Sequence, residues 1–215
     1  RIFFLLLLSS LHLYGFLQSI PNTLQDYPVV ITEIMADPSP TIQLPDVEYI
    51  EILNRSGESV NISGWTLTVG KYQAALPDIT LSEGQYYIIC DTESADSFSF
   101  IENIAPISMP PVLNTGQVIS LKNSSGTTIH TVEFRDTWYK TPGKNSGGWS
   151  LEIIDPENPC TGYENWEASR NETGGTPGIR NSVFAHNPDL LSPRYIRAFL
   201  PSDSSVELIF SEPLN

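Results

Sequence analysis

Basic side chains are few in this chain. Eleven Lys and Arg stand against twenty-five Asp and Glu, a formal net charge of −14 over 215 residues. Such a balance repels phosphate backbones and anionic membrane surfaces, so non-specific nucleic-acid binding is disfavoured. Charged residues of both signs make up only 17% against 40% hydrophobic, so the acidity is not that of a disordered tail. Sustained helical periodicity is missing, which argues against a helical fold. With two Cys far apart and only His12, His130 and His186, a Cys/His metal site is not credible. No Gly-x-Ser-x-Gly elbow occurs, and no His lies near a nucleophile turn. Gly174-Gly175 precedes Thr-Pro-Gly and not a helix, so there is no phosphate-cradling loop. A paired-carboxylate glycosidase has no cleft in which the sequence places its two acids.

What is present in quantity is punctuation: seventeen Pro and fourteen Gly. Between the turn pairs Ser56-Gly57, Glu83-Gly84, Thr115-Gly116 and Ser125-Gly126 lie short β-branched and aromatic runs. They cover 28–35, 47–53, 64–69, 85–90, 117–121, 127–134 and 149–154. Seven such runs separated by turns predict an all-β protein, a β-sandwich. The stretch 92–113 is the least regular and reads as an extended loop with one short strand or helical turn.

The two ends read differently. Arg1 followed by Ile2-Phe3-Phe4-Leu5-Leu6-Leu7-Leu8 and small residues near Gly15 to Ser19 reads as a secretory signal peptide over 1–19; a membrane anchor is the rival. No other transmembrane span is expected, and 20–27 is a linker. Export makes the compartment oxidising, so Cys90 and Cys160 are candidates for one disulfide. It would close a loop of about 70 residues, for roughly 4 kcal/mol, provided that geometry lets the two thiols meet. The start without Met and the alternating runs near the C-terminus suggest a piece of a longer secreted or cell-surface protein.

Toward the end, Asn165-Trp166-Glu167-Ala168-Ser169 is followed by Gly174-Gly175-Thr176-Pro177-Gly178 and Asn181-Ser182-Val183. Two turn clusters flanking an isolated Trp suit a chain that has left its last strand and laps back over a finished core, the Trp plugging the end.

The blocks Ile31-Thr32-Glu33-Ile34-Met35-Ala36-Asp37-Pro38, Glu48-Tyr49-Ile50-Glu51-Ile52-Leu53-Asn54, Ile62-Ser63-Gly64-Trp65-Thr66-Leu67 and Leu81-Ser82-Glu83-Gly84-Gln85-Tyr86-Tyr87-Ile88-Ile89 occur in that order. Leu113-Asn114-Thr115-Gly116, Val118-Ile119-Ser120-Leu121, Trp149-Ser150-Leu151-Glu152 and the closing Gly-Gly-Thr-Pro-Gly run follow. In this order the chain from Val29 to Val183 resembles the lamin tail domain in its bacterial secreted form. The resemblance implies an immunoglobulin-like β-sandwich over 28–183 with no enzymatic activity of its own. Nuclear relatives contact proteins and DNA, but the export signal and the lack of heptads argue against carrying over filament assembly or chromatin binding. After a linker at 184–192, residues 193–215 resemble the opening hairpin of a second, truncated immunoglobulin-like repeat.

The candidate residues are few. Glu33, Asp37, Asp46, Glu48 and Glu51 cluster at adjacent strand ends. Strict alternation puts Glu33 on a face with Ile31 and Met35, and Glu51 with Tyr49 and Leu53. Edge and rim charges that prevent sheet self-pairing are the preferred reading; a calcium site is the alternative, although the ligand loop of an EF-hand is absent. Asp136-Thr137-Trp138-Tyr139-Lys140 reads as an exposed polar loop, making Trp138 and Tyr139 candidates for contact with a protein or glycan, with cross-strand packing as their rival. His130 alternates with Val132 and Phe134 and reads as structural. Four Asn-x-Ser/Thr sequences start at Asn54, Asn61, Asn123 and Asn171, most of them in turns. The expected function is a non-catalytic interaction or spacer module with neighbouring domains in the same chain. The alternative is an accessory domain of a secreted hydrolase or nuclease.

Overall fold

The computed structural model describes residues 27–190, 194–202 and 205–210. The signal segment expected at 1–19 and most of the 20–27 linker lie outside the described residues. So do 191–193, 203–204 and 211–215. Strands run in chain order as β1 (Val29–Met35), β2 (Tyr49–Asn54), β3 (Val60–Asn61), β4 (Thr66–Val69), β5 (Tyr72–Ala75), β6 (Thr80–Leu81) and β7 (Tyr86–Asp91). There follow β8 (Ile104–Ile107), β9 (Gly116–Lys122), β10 (Thr128–Arg135), β11 (Leu151–Ile153), β12 (Trp166–Ala168), β13 (Tyr195–Ser202) and β14 (Ser205–Phe210).

All seven expected runs form strands. The irregular stretch 92–113 contains both a 3₁₀ turn, Thr92–Phe98, and β8. Two sheets result, ordered β12-β11-β1-β2-β7-β8 and β10-β9-β4-β5, with β3 and β6 as a small separate pair. Neighbours are antiparallel except β7 and β8, which run parallel. Ile34, Ile50, Ile52, Ile89, Leu151 and Ile153 of the larger sheet meet Leu67, Ile119, Leu121, Val132 and Phe134 of the smaller one in a single core. Each such side chain contributes about 1.5–3 kcal/mol by leaving water. The architecture is an immunoglobulin-like β-sandwich.

The two sheets differ in how they meet solvent. Along β10, His130, Val132 and Phe134 are buried while Thr131, Glu133 and Arg135 are exposed, the alternation of a half-wet sheet. β1 and β2 are buried at every position. Their far face is covered too: Met35, Tyr49, Ile88, Cys90 and Phe98 form a second apolar cluster there, and residues 174–183 cross the same face as an irregular strap.

A bulge in β1 sets which residue faces which cover. Ile31 pairs with Ile52 and Glu33 with Glu51, so Thr32 is one residue too many. Strict alternation would put Ile31 beside Glu33. The bulge shifts the phase instead, sending Ile31 and Ile34 into the sandwich core while Met35 joins the opposite cluster. Asn181 of the strap holds the bulge, its Nδ2 donating to the Thr32 carbonyl at 2.8 Å and to that of Ile153 at 2.9 Å.

β13 and β14 pair antiparallel with one another, as the alternation in 193–215 suggested. Among the described residues no helix is long and apolar enough to cross a membrane.

Candidate functional site

Three glutamates stand in one row across three adjacent strands. Glu152 of β11 lies opposite Glu33 of β1, which lies opposite Glu51 of β2. All three are fully buried. Like charges directly opposite each other in a sheet repel, and burying even one unpaired charge is costly. Among the described residues none of the three forms an ion pair.

Hydrogen bonds from the strap and the sheet hold them instead. Glu33 Oε1 accepts from Tyr49 Oη at 2.7 Å and from the Thr176 amide at 2.8 Å. Glu51 accepts from Thr32 Oγ1 at 2.7 Å and from the Gly178 amide at 2.6 Å. Glu152 accepts from Thr176 Oγ1 at 2.9 Å, Ser182 Oγ at 2.8 Å and the Val183 amide at 3.1 Å. The Pro-Gly-rich strap cannot pair as a strand, so its amides need other acceptors, and the glutamates supply them. Burial first, then the charge of Glu152, pushes the Glu33 carboxyl up to about 7. Burial and then Glu33 push Glu51 well above the carboxylate range. The Tyr49 phenol is also raised, by burial and then by Glu33.

Glu33 and Glu51 are therefore not rim charges. The strap covers the sheet face they stand on, a tertiary fact that strand alternation alone does not contain. Asp37, Asp46 and Glu48 lie apart from the row. Glu48 accepts from the Val112 amide at 3.0 Å, and burial raises its carboxyl. Asp46, Glu48 and Asp91 border a shallow depression of about 320 Å³. Among the described residues no group of three or more His, Cys, Asp and Glu is placed to hold a metal ion, so the acids proposed for calcium are not assembled around one point.

The other expected residues are also relocated. Trp138 and Tyr139 are not an exposed platform: they sit in a 3₁₀ turn, Asp136–Tyr139, with 9% and 4% of their surface exposed. Trp138 packs 6.3 Å from Trp166, and Tyr163 meets it edge-on. Two rings in a polar loop turn inward because the open end of the sandwich offers apolar surface to cover. Trp166 fills that end as expected, although it also begins a strand, β12. Trp138 still borders a groove of about 400 Å³ shared with Thr131, Glu133, Arg135 and Gly162.

Cys90 and Cys160 are not joined in a disulfide. Cys90 is buried in β7, while Cys160 is exposed in the loop between β11 and β12. Three strand spacings, about 14 Å, separate β7 from β11, twice what a disulfide spans. Burial and then Asp91 push the Cys90 thiol up to about 11. His130 is structural, as its alternation implies. Its Nδ1 accepts from the Ile31 amide at 2.9 Å, and burial lowers its pKa to about 4.

Glu152 of the row, its strap donors Thr176 and Ser182, and Asn181, which holds the bulge, escaped sequence reasoning as site residues. The available signal was Ser150 and Glu152 alternating with Leu151 and Ile153, a polar face on what proves to be an interior strand.

Comparison with known proteins supplies one family. The lamin tail domain family matches residues 24–136, which spans β1 through β10. No curated protein matches the chain. A β-sandwich of this order, matched over more than half its length, places the chain in the lamin tail domain family.

Proposed function

We propose that this is a non-catalytic interaction or spacer module of a larger secreted or cell-surface protein, bacterial in type. The observation that carries this reading is the use made of the buried acids. Glu33, Glu51 and Glu152, the strongest candidates for chemistry, are bound by donors of the protein itself and capped by the strap. A group so enclosed fastens a fold and meets no substrate.

Two surface features favour a module set among partners. The groove beside the edge strand β10 presents Thr131, Glu133 and Arg135 next to the Trp138 ring, a mixed polar and aromatic surface of the kind that engages a protein or glycan. The hairpin β13–β14 exposes Tyr195, Ile196, Phe199, Leu200, Val206 and Leu208. A two-stranded hairpin is at best marginally stable in water, so further strands completing a second immunoglobulin-like repeat would give those side chains a core. The family by itself fixes no ligand.

The test is a thermal-shift screen of the protein against glycans, duplex DNA and calcium. A rise in melting temperature with a glycan, blocked by substitution of Arg135, supports the reading. A salt-sensitive rise with DNA would overturn it in favour of nucleic-acid binding.

A further inference from the structure

We infer that Glu33 carries a proton on Oε2, which it donates to Thr176 Oγ1, and that this proton is the latch holding strap 174–183 on the sheet.

The hydrogens available at Thr176 place this proton. The Thr176 hydroxyl lies 2.9 Å from Glu152 Oε1 and 3.3 Å from Glu33 Oε2. A hydroxyl has one hydrogen to give. Three donors converge on Glu152, and the shorter contact makes it the receiver. The Thr176 oxygen then faces Glu33 Oε2 with a lone pair. Two acceptors are stable at that distance in a buried site only if one bears a proton. Oε1 of Glu33 is already engaged by two donors, Tyr49 and the Thr176 amide, and the nearby buried Ser150 hydroxyl, which favours the charged carboxyl, finds no partner at hydrogen-bond geometry among the described residues, so Oε2 is left for the proton. The chain runs Glu33 to Thr176 to Glu152, satisfying every group in it.

The surrounding charges do not replace that proton. Across β2 Glu33 faces Glu51 and Tyr49, and across β11 it faces Glu152. Beyond β11, Glu167 of β12 pairs with Arg170 at 2.6 Å. Lys144 approaches the Glu152 end, but its ammonium stacks 3.7 Å over Trp149 and donates to the Ser169 carbonyl. On the strap, Arg180 faces Tyr86 and stacks on Phe184. None of these cations reaches Glu33, so loss of its proton leaves two opposed carboxylates competing for one hydroxyl.

Raising the Glu33 pKa from 4.5 to about 7 gives the device its direction. Below pH 4.5 folded and unfolded chains both hold the proton, and the latch contributes in full. Between 4.5 and 7 only the folded chain holds it. As pH rises through 7 the contribution is lost, on the order of a hundredfold in the closing equilibrium. The strap is thus tighter in mild acid and looser in mild alkali, opposite to the usual behaviour of a carboxylate.

The experiment compares the full chain with its Glu33→Gln variant from pH 5 to 8, by denaturant unfolding and by hydrogen exchange at the Gly178 and Val183 amides. The Gln amide donates to Thr176 at every pH. The expected result is a stability difference that grows with pH in favour of Glu33→Gln, by tens- to hundreds-fold at pH 8, with strap exchange slowed to match. A difference independent of pH overturns the proposal. A second readout is the infrared band of a protonated carboxyl that is present in the parent protein and missing from Glu33→Gln, since Glu51, also raised, contributes its own band to both. It is expected at pH 6 and lost by pH 8 together with strap protection, and its absence at pH 6 overturns the proposal as well.

Discussion

Asparagine and histidine are the residues that fasten irregular backbone here. Each of the four Asn-x-Ser/Thr sequences is an Asx turn: the side-chain oxygens of Asn54, Asn61, Asn123 and Asn171 accept the amide two residues on. Their recurrence reflects that geometry, which was legible because it is local. Asn181 was not legible, since its partners lie 149 and 28 residues away. Replacing Asn181 with Ala leaves two buried carbonyls bare and is expected to lower stability by about 2–4 kcal/mol in urea unfolding. His130 favours neutrality because its folded pKa, about 4, lies below the ordinary 6.5. Its contribution is therefore present above pH 6.5 and lost as pH falls toward 4, against the trend of Glu33. His130→Gln keeps an acceptor for Ile31 without titrating, and is expected to remove an acid-side loss of about 3 kcal/mol, at about 1.4 kcal/mol per pH unit. Denaturation series at pH 4 to 7 check this. Cys90, buried and with its thiol pushed up to about 11, is expected to react with an aromatic disulfide reagent only after unfolding.

At the scale of elements, the strap decides more than any strand. It has no periodicity of its own, yet it turns the outer face of the larger sheet into an interior. Gly175 shows how closely it sits: a Cβ there would come within 2.6 Å of both Glu33 Oε1 and Tyr49 Oη, and within 2.9 Å of Leu44. These atoms are pinned by the hydrogen bond between Glu33 and Tyr49 and cannot swing away freely. Gly175→Ala is expected to destabilise the protein by about 1–3 kcal/mol and to deprotect the Gly178 amide, measured by unfolding and hydrogen exchange. Strands with alternating or continuous apolar runs, such as β7 and β10, were legible. β12 was not, and β8 only as the short strand or helical turn expected somewhere in 92–113, since Ile-Ala-Pro-Ile and Trp-Glu-Ala are edge pieces whose pairing comes from a neighbour and not from their own pattern. The bulge at Thr32 was invisible too. It matters only through the partner strand that counts one residue fewer.

For the whole molecule, charge and composition speak first. A net charge of −14 predicts no measurable affinity for duplex DNA at about 0.15 M salt by fluorescence anisotropy, where phosphate contacts dominate binding. The hairpin β13–β14 leaves Tyr195, Ile196, Phe199, Leu200, Val206 and Leu208 exposed and so lends the sandwich little. Removing residues 191–215 is expected to leave the melting temperature of the sandwich within about 3 °C of the parent, since about 1 kcal/mol corresponds to 2–4 °C at this size. Local sequence was enough for the all-β class, seven of the strands, their turns and the Trp that closes the end. Each of these depends on residues within a few positions of one another, where backbone preference and two-residue periodicity act. Tertiary structure alone decided that Glu33, Glu51 and Glu152 share one buried row, that Trp138 and Tyr139 turn inward, and that Cys90 and Cys160 stay apart. Those outcomes follow from which strands become neighbours and which face the strap covers. Burial, and with it the protonation of a carboxyl, is a property of that enclosure and not of the residue.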